Sequence, residues 1–149
     1  MVRPYDGKEI PIFERFRIGG DRSVRAFEYG SIYPLDDNDQ AYFNEQGALL
    51  GGDKYLVLNL EAVYYVAGPL KLVLFFDAGN AWLEGQTFNP LVMRTSAGAE
   101  LRMFLPIFQA PLRFIYGINL DPKVIKGQTG VPLVNEKGSD FQFSIGTTF

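Results

Sequence analysis

Acidic and basic side chains that could do chemistry recur at alternate positions of the chain from residue 61 onwards. They are Glu61, Lys71, Asp77, Arg94, Glu100, Arg102 and Arg113. Glu61 and Glu100 would suit the carboxylate pair of a glycosidase. Strand alternation explains them more simply, because every second side chain of a strand points to the same side. The chain has no Cys and no His, which excludes thiol catalysis and the usual zinc sites and removes the commonest general base. We expect a protein that is not an enzyme, with no catalytic residue, metal or cofactor.

Five segments must position these charges, and each alternates between an apolar side and a more polar side. The segments are 55–66, 71–82, 94–105, 112–120 and 141–149. Such two-sided strands suit a wall between lipid and water. Their nine to twelve residues match the length of a tilted strand that crosses a bilayer. The predicted fold is therefore all-β, with about five antiparallel transmembrane strands.

The last segment shows the two-sided pattern most clearly. Its apolar side is formed by Phe141, Phe143, Ile145, Thr147 and Phe149. Gln142, Ser144, Gly146 and Thr148 form the other side. We expect Gly146 to weaken the strand locally and to let it bend. Elsewhere, Tyr64 and Trp82 are predicted to be aromatics of the membrane interface.

The connections between the predicted strands alternate in length. Those at 67–70 and 106–111 are short, and those at 83–93 and 121–140 are long. Barrels of the outer membrane place short turns on the periplasmic side and long loops outside. A soluble sandwich has no reason to sort its loops by side, so this alternation favours a membrane barrel.

Composition sets the remaining limits. The net charge is −3 and the pI is about 4.9, which argues against a nucleic-acid partner. No segment holds the roughly 18 uninterrupted apolar residues of a transmembrane helix. A soluble β-barrel or sandwich that binds a small ligand has a similar composition. It would differ by staying folded and monomeric without detergent.

The predicted strands cannot complete a barrel by themselves. Single-chain barrels begin at about eight strands, and open strand edges are not viable in lipid. The charged side of the strands also predicts a wide, water-containing barrel. Since no signal peptide follows Met1, we expect the C-terminal part of a longer exported protein. We divide it into a glycine-rich, charged and weakly periodic stretch at 1–52 and the strands at 53–149.

Three segments together resemble the BamA superfamily of outer-membrane barrels, which also contains TamA and two-partner-secretion transporters. The first is Arg15-Phe-Arg-Ile-Gly-Gly20 with Ser23-Val-Arg-Ala-Phe27, which is similar to the family's glycine pair and Val-Arg-Gly-Phe/Tyr motif on an inward-folding loop. The second is Leu74-Phe-Phe-Asp-Ala-Gly-Asn-Ala-Trp82, similar to a Phe-x-Asp-x-Gly strand. The third is the terminal strand, which is similar to the family's β-signal.

The resemblance implies that 1–52 is a long extracellular loop that folds into the lumen, and it implies a specific anchor for that loop. Arg25, beside Phe27 at the loop tip, would pair with Asp77 and Glu61 on neighbouring strands. Both acids fall on the inward side by strand parity, and a guanidinium can serve two carboxylates. The chain departs from the family at Ala26, where glycine is usual.

The resemblance also implies a location in the outer membrane of a Gram-negative bacterium, where the protein would be a surface antigen. The whole protein would insert and fold other outer-membrane β-barrel proteins through a lateral seam. That seam would involve the terminal strand, with Phe141, Phe143, Ile145, Gly146 and Phe149. The implied partners are the lipid bilayer, unfolded outer-membrane proteins, the N-terminal barrel strands and POTRA domains of the same protein, and accessory lipoproteins. A TamA-like or two-partner-secretion polypeptide transporter is the alternative function.

Overall fold

Antiparallel strands dominate the computed structural model, which describes residues 14–107 and 110–146. The strands are β1 Lys54–Ala67, β2 Leu70–Trp82, β3 Arg94–Leu105, β4 Ala110–Asn119, β5 Val124–Lys126, β6 Pro132–Asn135 and β7 Ser139–Ile145. Five of them form one sheet in the order β1-β2-β3-β4-β7, with antiparallel neighbours throughout. This confirms the predicted all-β fold and the five long strands. No helix among the described residues has the length and apolarity needed to cross a membrane.

The connection at 121–140 contains more structure than the alternation predicted. β5 and β6 pair within it as a separate antiparallel hairpin. Both strands are short, three and four residues, and such lengths leave little periodic signal to detect. Ile125 of β5 is buried with Tyr33 and Ala41 in a small apolar core. The hairpin therefore packs against the segment that precedes the sheet.

The strand alternation gives the sheet two chemically different faces. We call the exposed apolar side the outer face, and its exposed members include Leu58, Leu60, Leu74, Phe76, Leu101, Tyr116, Ile118, Phe141, Phe143 and Ile145. The opposite side, the inner face, is buried and includes Val73, Phe75, Asp77, Glu100, Arg113 and Ile115. Parity along each strand predicted this division correctly, since every second residue of a strand points the same way.

Residues 14–52, here called the inner segment, cover the inner face. The ends of this segment meet where Phe16 and Gly52 exchange backbone hydrogen bonds of 2.7 and 2.8 Å. Ile18, Val24, Phe27 and Ile32 form its buried apolar core. No described residue of the inner segment belongs to a named strand, in agreement with its weak periodicity.

Two glycines of the sheet let the inner segment approach the strands closely. A Cβ added at Gly79 would lie 2.6 Å from Val24 Cγ2, and one added at Gly117 would lie 2.6 Å from Ala26 Cβ. Both distances are far below van der Waals contact. The bare backbone at these positions is therefore part of the surface on which the segment rests.

The terminal strand lies at one edge of the sheet. Among the described residues β7 pairs only with β4, through a ladder that joins Ile118 to Ser139 and Leu112 to Ile145. Gly146 follows with a φ of 136°, a backbone conformation that favours glycine. Phe149 lies outside the described residues, and so does the predicted continuation of the strand through it.

Candidate functional site

The tip of the inner segment, residues 19–27, presents one arginine to the inner face. Two backbone hydrogen bonds between Gly20 and the Ser23–Val24 stretch close it into a turn, with N···O distances of 3.1 Å each. Ser23 Oγ accepts a further hydrogen bond of 2.8 Å from the Gly19 N–H. This compact turn directs Arg25 towards β2.

Asp77 receives Arg25 in a bidentate arrangement. Arg25 Nε donates to Asp77 Oδ2 and Arg25 Nη2 donates to Asp77 Oδ1, each at 2.7 Å. The Arg25 backbone N–H also donates to Asp77 Oδ2 at 3.1 Å. Asn59 completes the site by donating to Asp77 Oδ1 at 2.8 Å and to the Ser23 carbonyl at 2.7 Å. Bidentate guanidinium–carboxylate pairs combine charge attraction with a fixed geometry.

The remaining donor of the guanidinium reaches two more carboxylates. Arg25 Nη1 donates to Glu61 Oε1 at 2.7 Å and to Glu100 Oε2 at 3.0 Å. The guanidinium carbon lies 3.9 Å from the centroid of the Phe75 ring, which is a favourable cation–π distance. The structure therefore brings Arg25, Glu61 and Asp77 together.

Sequence analysis did not include Glu100 among the partners of Arg25. Parity placed Glu100 on the inward side, but parity does not give the register between strands. In the sheet, Glu100 stands opposite Val73 of β2 and Ile115 of β4, and this register brings it level with the loop tip. The inward position of Glu100 was thus the only signal that could have identified it.

Two further arginines balance the carboxylates. Arg102 Nε and Arg113 Nε each donate to Glu100 Oε1 at 2.7 Å, and Arg113 Nη2 donates to Glu100 Oε2 at 3.0 Å. Arg113 also donates to the Asp21 carbonyl at 3.2 Å, which ties it back to the loop tip. We call the six residues Arg25, Glu61, Asp77, Glu100, Arg102 and Arg113 the charge cluster. Its three guanidinium groups face three carboxylates.

Burial makes this pairing necessary. Asp77 and Glu100 are 0% exposed, and Arg25 is 3% exposed. Burial by itself lowers the pKa of Arg25, but hydrogen bonds and charge attraction from Asp77 and Glu61 outweigh it, so the pKa is raised and the guanidinium stays charged. Buried charges are tolerated only when they are paired and hydrogen-bonded. Within residues 14–107 and 110–146, no group of acidic side chains is arranged to hold a metal ion.

Ala26 and Phe27 lie beside the charge cluster and not in it. Ala26 has a φ of 67°, the left-handed region that the usual glycine of the family adopts without strain. Phe27 is buried in the core of the inner segment, and the guanidinium of Arg94 lies 5.3 Å from its ring centroid. Phe27 therefore anchors the loop tip by apolar packing.

The terminal strand is joined to the loop tip by a residue that sequence analysis did not single out. Gln142 Nε2 donates to the Phe27 carbonyl at 2.8 Å. Phe141, Phe143 and Ile145 point to the outer face and are exposed, with the Phe143 ring 5.1 Å from that of Phe114 on β4. The inward position of Gln142 was visible from parity, but its partner could not be known without the path of the loop.

An apolar outer face, a charged inner face and an inward-folded segment define part of the wall of a transmembrane β-barrel. The chain matches the Omp85 superfamily domain over residues 1–149 and belongs to that superfamily. It is 34% identical over 144 residues to an outer membrane protein assembly factor BamA of Nitratidesulfovibrio vulgaris, covering 95% of this chain and 16% of that protein. It is 28% identical over 174 aligned residues to the BamA of Neisseria meningitidis serogroup B, covering 95% and 19%.

These similarities confirm the family that the motifs indicated and the predicted location in the bacterial outer membrane. The chain spans less than a fifth of the length of both relatives, at 16% and 19%. This chain therefore corresponds to one part of each of these two BamA proteins.

Proposed function

We propose that this chain is the C-terminal part of the barrel of an assembly factor that inserts and folds outer-membrane β-barrel proteins. The observation that carries the proposal is the match to the Omp85 superfamily domain over residues 1–149, together with 34% identity to an outer membrane protein assembly factor BamA. Among the described residues β7 lies at one edge of the sheet and pairs only with β4. An edge strand presents unpaired backbone N–H and C=O groups, and an incoming strand can add to it. Strand addition at this lateral seam would give the activity without a catalytic residue.

The charge cluster has a supporting role in this proposal. The loop tip contacts β1 through Glu61, β2 through Asp77 and β3 through Glu100. Arg113 adds β4 to the same network. Arg25 and Phe27 would thus pin the inner segment and keep these strands in register while the seam at β7 opens. Segment 1–52 would be an extracellular loop folded into the lumen, and 53–149 would supply the barrel strands.

The partners follow from the same proposal. The outer face would contact the outer-membrane bilayer, and the edge of β7 would receive unfolded outer-membrane proteins. N-terminal barrel strands and POTRA domains of the same protein would complete the molecule, with accessory lipoproteins as further partners. Because the inner segment fills the space over the inner face, seam-based insertion is favoured over a polypeptide transporter whose cargo would need that space.

Site-specific photo-crosslinking tests the proposal in the full-length protein that contains this chain. A photoreactive phenylalanine analogue at Phe141, at the free edge of the sheet, should crosslink to newly made outer-membrane proteins. The matched control is Tyr116 on β4, which pairs with Phe141 and is exposed on the same face but lies within the sheet. Equal substrate crosslinking at both positions, or none at Phe141, would contradict strand addition at β7.

A further inference from the structure

The connection at 83–93 between β2 and β3, here called the rim loop, is divided into a tethered polar half and an exposed apolar half. Its first half is held by hydrogen bonds to β1, to Asp53 and to the inner segment. Lys54 Nζ donates to the Gln86 carbonyl at 2.7 Å, and Gln86 Nε2 donates to the Leu35 carbonyl at 3.0 Å. The Glu84 N–H donates to Asp53 Oδ2 at 2.9 Å. These contacts fix where the loop leaves β2.

The second half of the rim loop packs against the end of β2. Phe88 packs on Trp82 with ring centroids 4.7 Å apart, and Asn80 Nδ2 donates to the Val92 carbonyl at 2.8 Å. Asn80 and Trp82 share the strand parity of Leu74 and Phe76, which are exposed on the outer face. Trp82, which sequence analysis assigned to the membrane interface, is 5% exposed and lies beneath Phe88.

The apolar half is uncharged and uncovered. Residues 85–93 contain no acidic or basic side chain. Leu91 is 92% exposed, and Phe88 and Val92 are about half exposed at 48% and 50%. Asn89 accepts a hydrogen bond from the Leu91 N–H at 3.0 Å and caps the 3-10 turn Pro90–Val92. A defined backbone turn thus holds the three apolar side chains outward.

The height of the loop on the sheet indicates what covers it. From Leu72 to Trp82 the strand rises roughly 25 Å along the membrane normal, at about 3.3 Å per residue and a tilt of about 40°. That is also the height of the apolar band of an outer-membrane barrel, about 25 Å. Because β2 begins at a short turn and ends at a long loop, Trp82 marks the extracellular border of that band. Phe88, which packs on Trp82, continues the outer face at this border.

We propose that residues 88–92 of the rim loop insert into the outer leaflet of the outer membrane, with Phe88, Leu91 and Val92 among the acyl chains next to the headgroups. The occupant is lipid, since the patch is continuous with the lipid-facing outer face and carries no charge to select a protein partner. The tether through Gln86 makes the insertion a rigid anchor for the extracellular end of the β2–β3 pair. The inference rests on the outer-membrane location and does not depend on insertase activity.

Fluorescence quenching by spin-labelled lipids tests this anchor. The full-length protein, in a cysteine-free background, is reconstituted into phosphatidylcholine vesicles with an environment-sensitive fluorophore on Leu91→Cys. Two controls are matched to it: Tyr29→Cys, which is 93% exposed on the inner segment, and Leu74→Cys on the outer face. Only variants that keep the heat-modifiable migration of a folded barrel are compared, and Val92→Cys replaces Leu91→Cys if the latter does not fold.

The expected result is a depth order. The fluorophore at 91 should emit at shorter wavelength than the one at 29, and spin labels near the headgroup should quench it more strongly than spin labels deep in the acyl chain. Position 74 should be quenched most by deep labels, and position 29 by neither. Equal behaviour of positions 91 and 29 would overturn the proposal. A short-wavelength emission that depends on protein concentration and not on lipid label would also overturn it, by assigning the patch to a second copy.

Discussion

Arg25 links three strands through a single side chain. Its guanidinium donates four hydrogen bonds to carboxylates of Glu61, Asp77 and Glu100. Burial and the Phe75 ring shield its charge from water. A lysine could not reproduce this arrangement, because an ammonium lacks the planar fork that grips a carboxylate at two points. The anchor therefore depends on arginine chemistry and not on positive charge alone.

A double-mutant cycle on Arg25→Ala and Asp77→Ala measures this anchor. Each single change leaves buried charges unpaired and should lower the free energy of unfolding by about 3–5 kcal/mol. The double variant should lose much less than the sum, since the two groups interact directly. Denaturant unfolding of the full-length protein in detergent gives the three values. Arg22→Ala, at an exposed neighbour of Arg25, is the control and should change the free energy of unfolding by less than about 0.5 kcal/mol. Strict additivity of the Arg25 and Asp77 changes would mean that the two side chains do not cooperate.

Ala26 shows how the chain tolerates a departure from the family pattern. A φ of 67° costs a residue with a side chain about 1–2 kcal/mol relative to the right-handed region. Burial of its methyl group, worth about 0.8 kcal/mol per carbon, offsets part of that strain. The Cβ also rests directly on the backbone of Gly117, where no larger side chain would fit.

At the scale of elements, the sheet and the inner segment fit together because specific strand positions lack side chains. Gly79 lies under Val24, and Gly117 lies under Ala26. Each glycine weakens its own strand slightly, and each permits the loop tip to come near enough for Arg25 to reach Asp77. The strands and the loop are thus adapted to one another at the level of single methyl groups.

Gly117→Ala tests this fit. The added Cβ would lie 2.6 Å from Ala26 Cβ, so the loop tip must move, and we expect a loss of about 1–3 kcal/mol of unfolding free energy. Gly85→Ala is the matched control, because a Cβ there meets nothing within 4 Å. Thermal unfolding of both variants, with the parent protein alongside, gives the comparison. A Gly117→Ala protein as stable as the control variant would show that the loop tip does not rest on β4.

Gln142 connects the loop tip to the strand at the proposed seam. Gln142→Leu removes the donor to the Phe27 carbonyl and should cost about 1–3 kcal/mol locally if that buried acceptor stays unpaired. We expect faster hydrogen exchange of the β7 amides with little change in β2, since an edge strand can open separately. Ser144→Ala, on the same side of β7, serves as the reference. Uniform acceleration across the sheet would instead indicate global destabilisation.

At the scale of the whole molecule, the inner segment occupies the side of the sheet that a closed barrel would turn towards its lumen. The segment is joined to the sheet through the charge cluster and to the β5–β6 hairpin through backbone hydrogen bonds between Ala41 and Lys126 and between Lys126 and Asp39, at 3.0 and 2.9 Å. These contacts tie the middle of the inner segment to the connection between β4 and β7. The proposed barrel is thereby filled by its own chain.

Replacing residues 17–51 by a short Gly-Ser linker should open the lumen. The replacement is geometrically simple, because Phe16 and Gly52 are already hydrogen-bonded partners. In planar bilayers the full-length variant should conduct ions more than the parent protein, and its barrel should unfold at lower denaturant because the carboxylates of the charge cluster lose Arg25. Shortening the β5–β6 hairpin is the control and should raise conductance less. Unchanged conductance would mean that the inner segment does not fill the lumen.

The sequence by itself determined the strands, their two faces and the family. Alternation predicted β1 to β4 and the inward side of Asp77 and Glu61, because side-chain direction in a strand follows from local geometry. The motifs around Arg25 and Asp77 indicated the family, which is confirmed. The pairing of Arg25 with Asp77 and Glu61 was implied by that resemblance. The short hairpin of β5 and β6 was not predicted, because strands of three and four residues carry almost no periodicity.

Tertiary structure alone decided which residues meet. Glu100 joins Arg25, Gln142 reaches Phe27, and Phe88 covers Trp82, and none of these contacts follows from a local pattern. Each depends on the register between strands or on the path of a loop, which are set by packing between residues far apart in the chain. The side of a strand to which a residue points follows from the local backbone geometry, whereas the distance between residues on different elements depends on the whole fold.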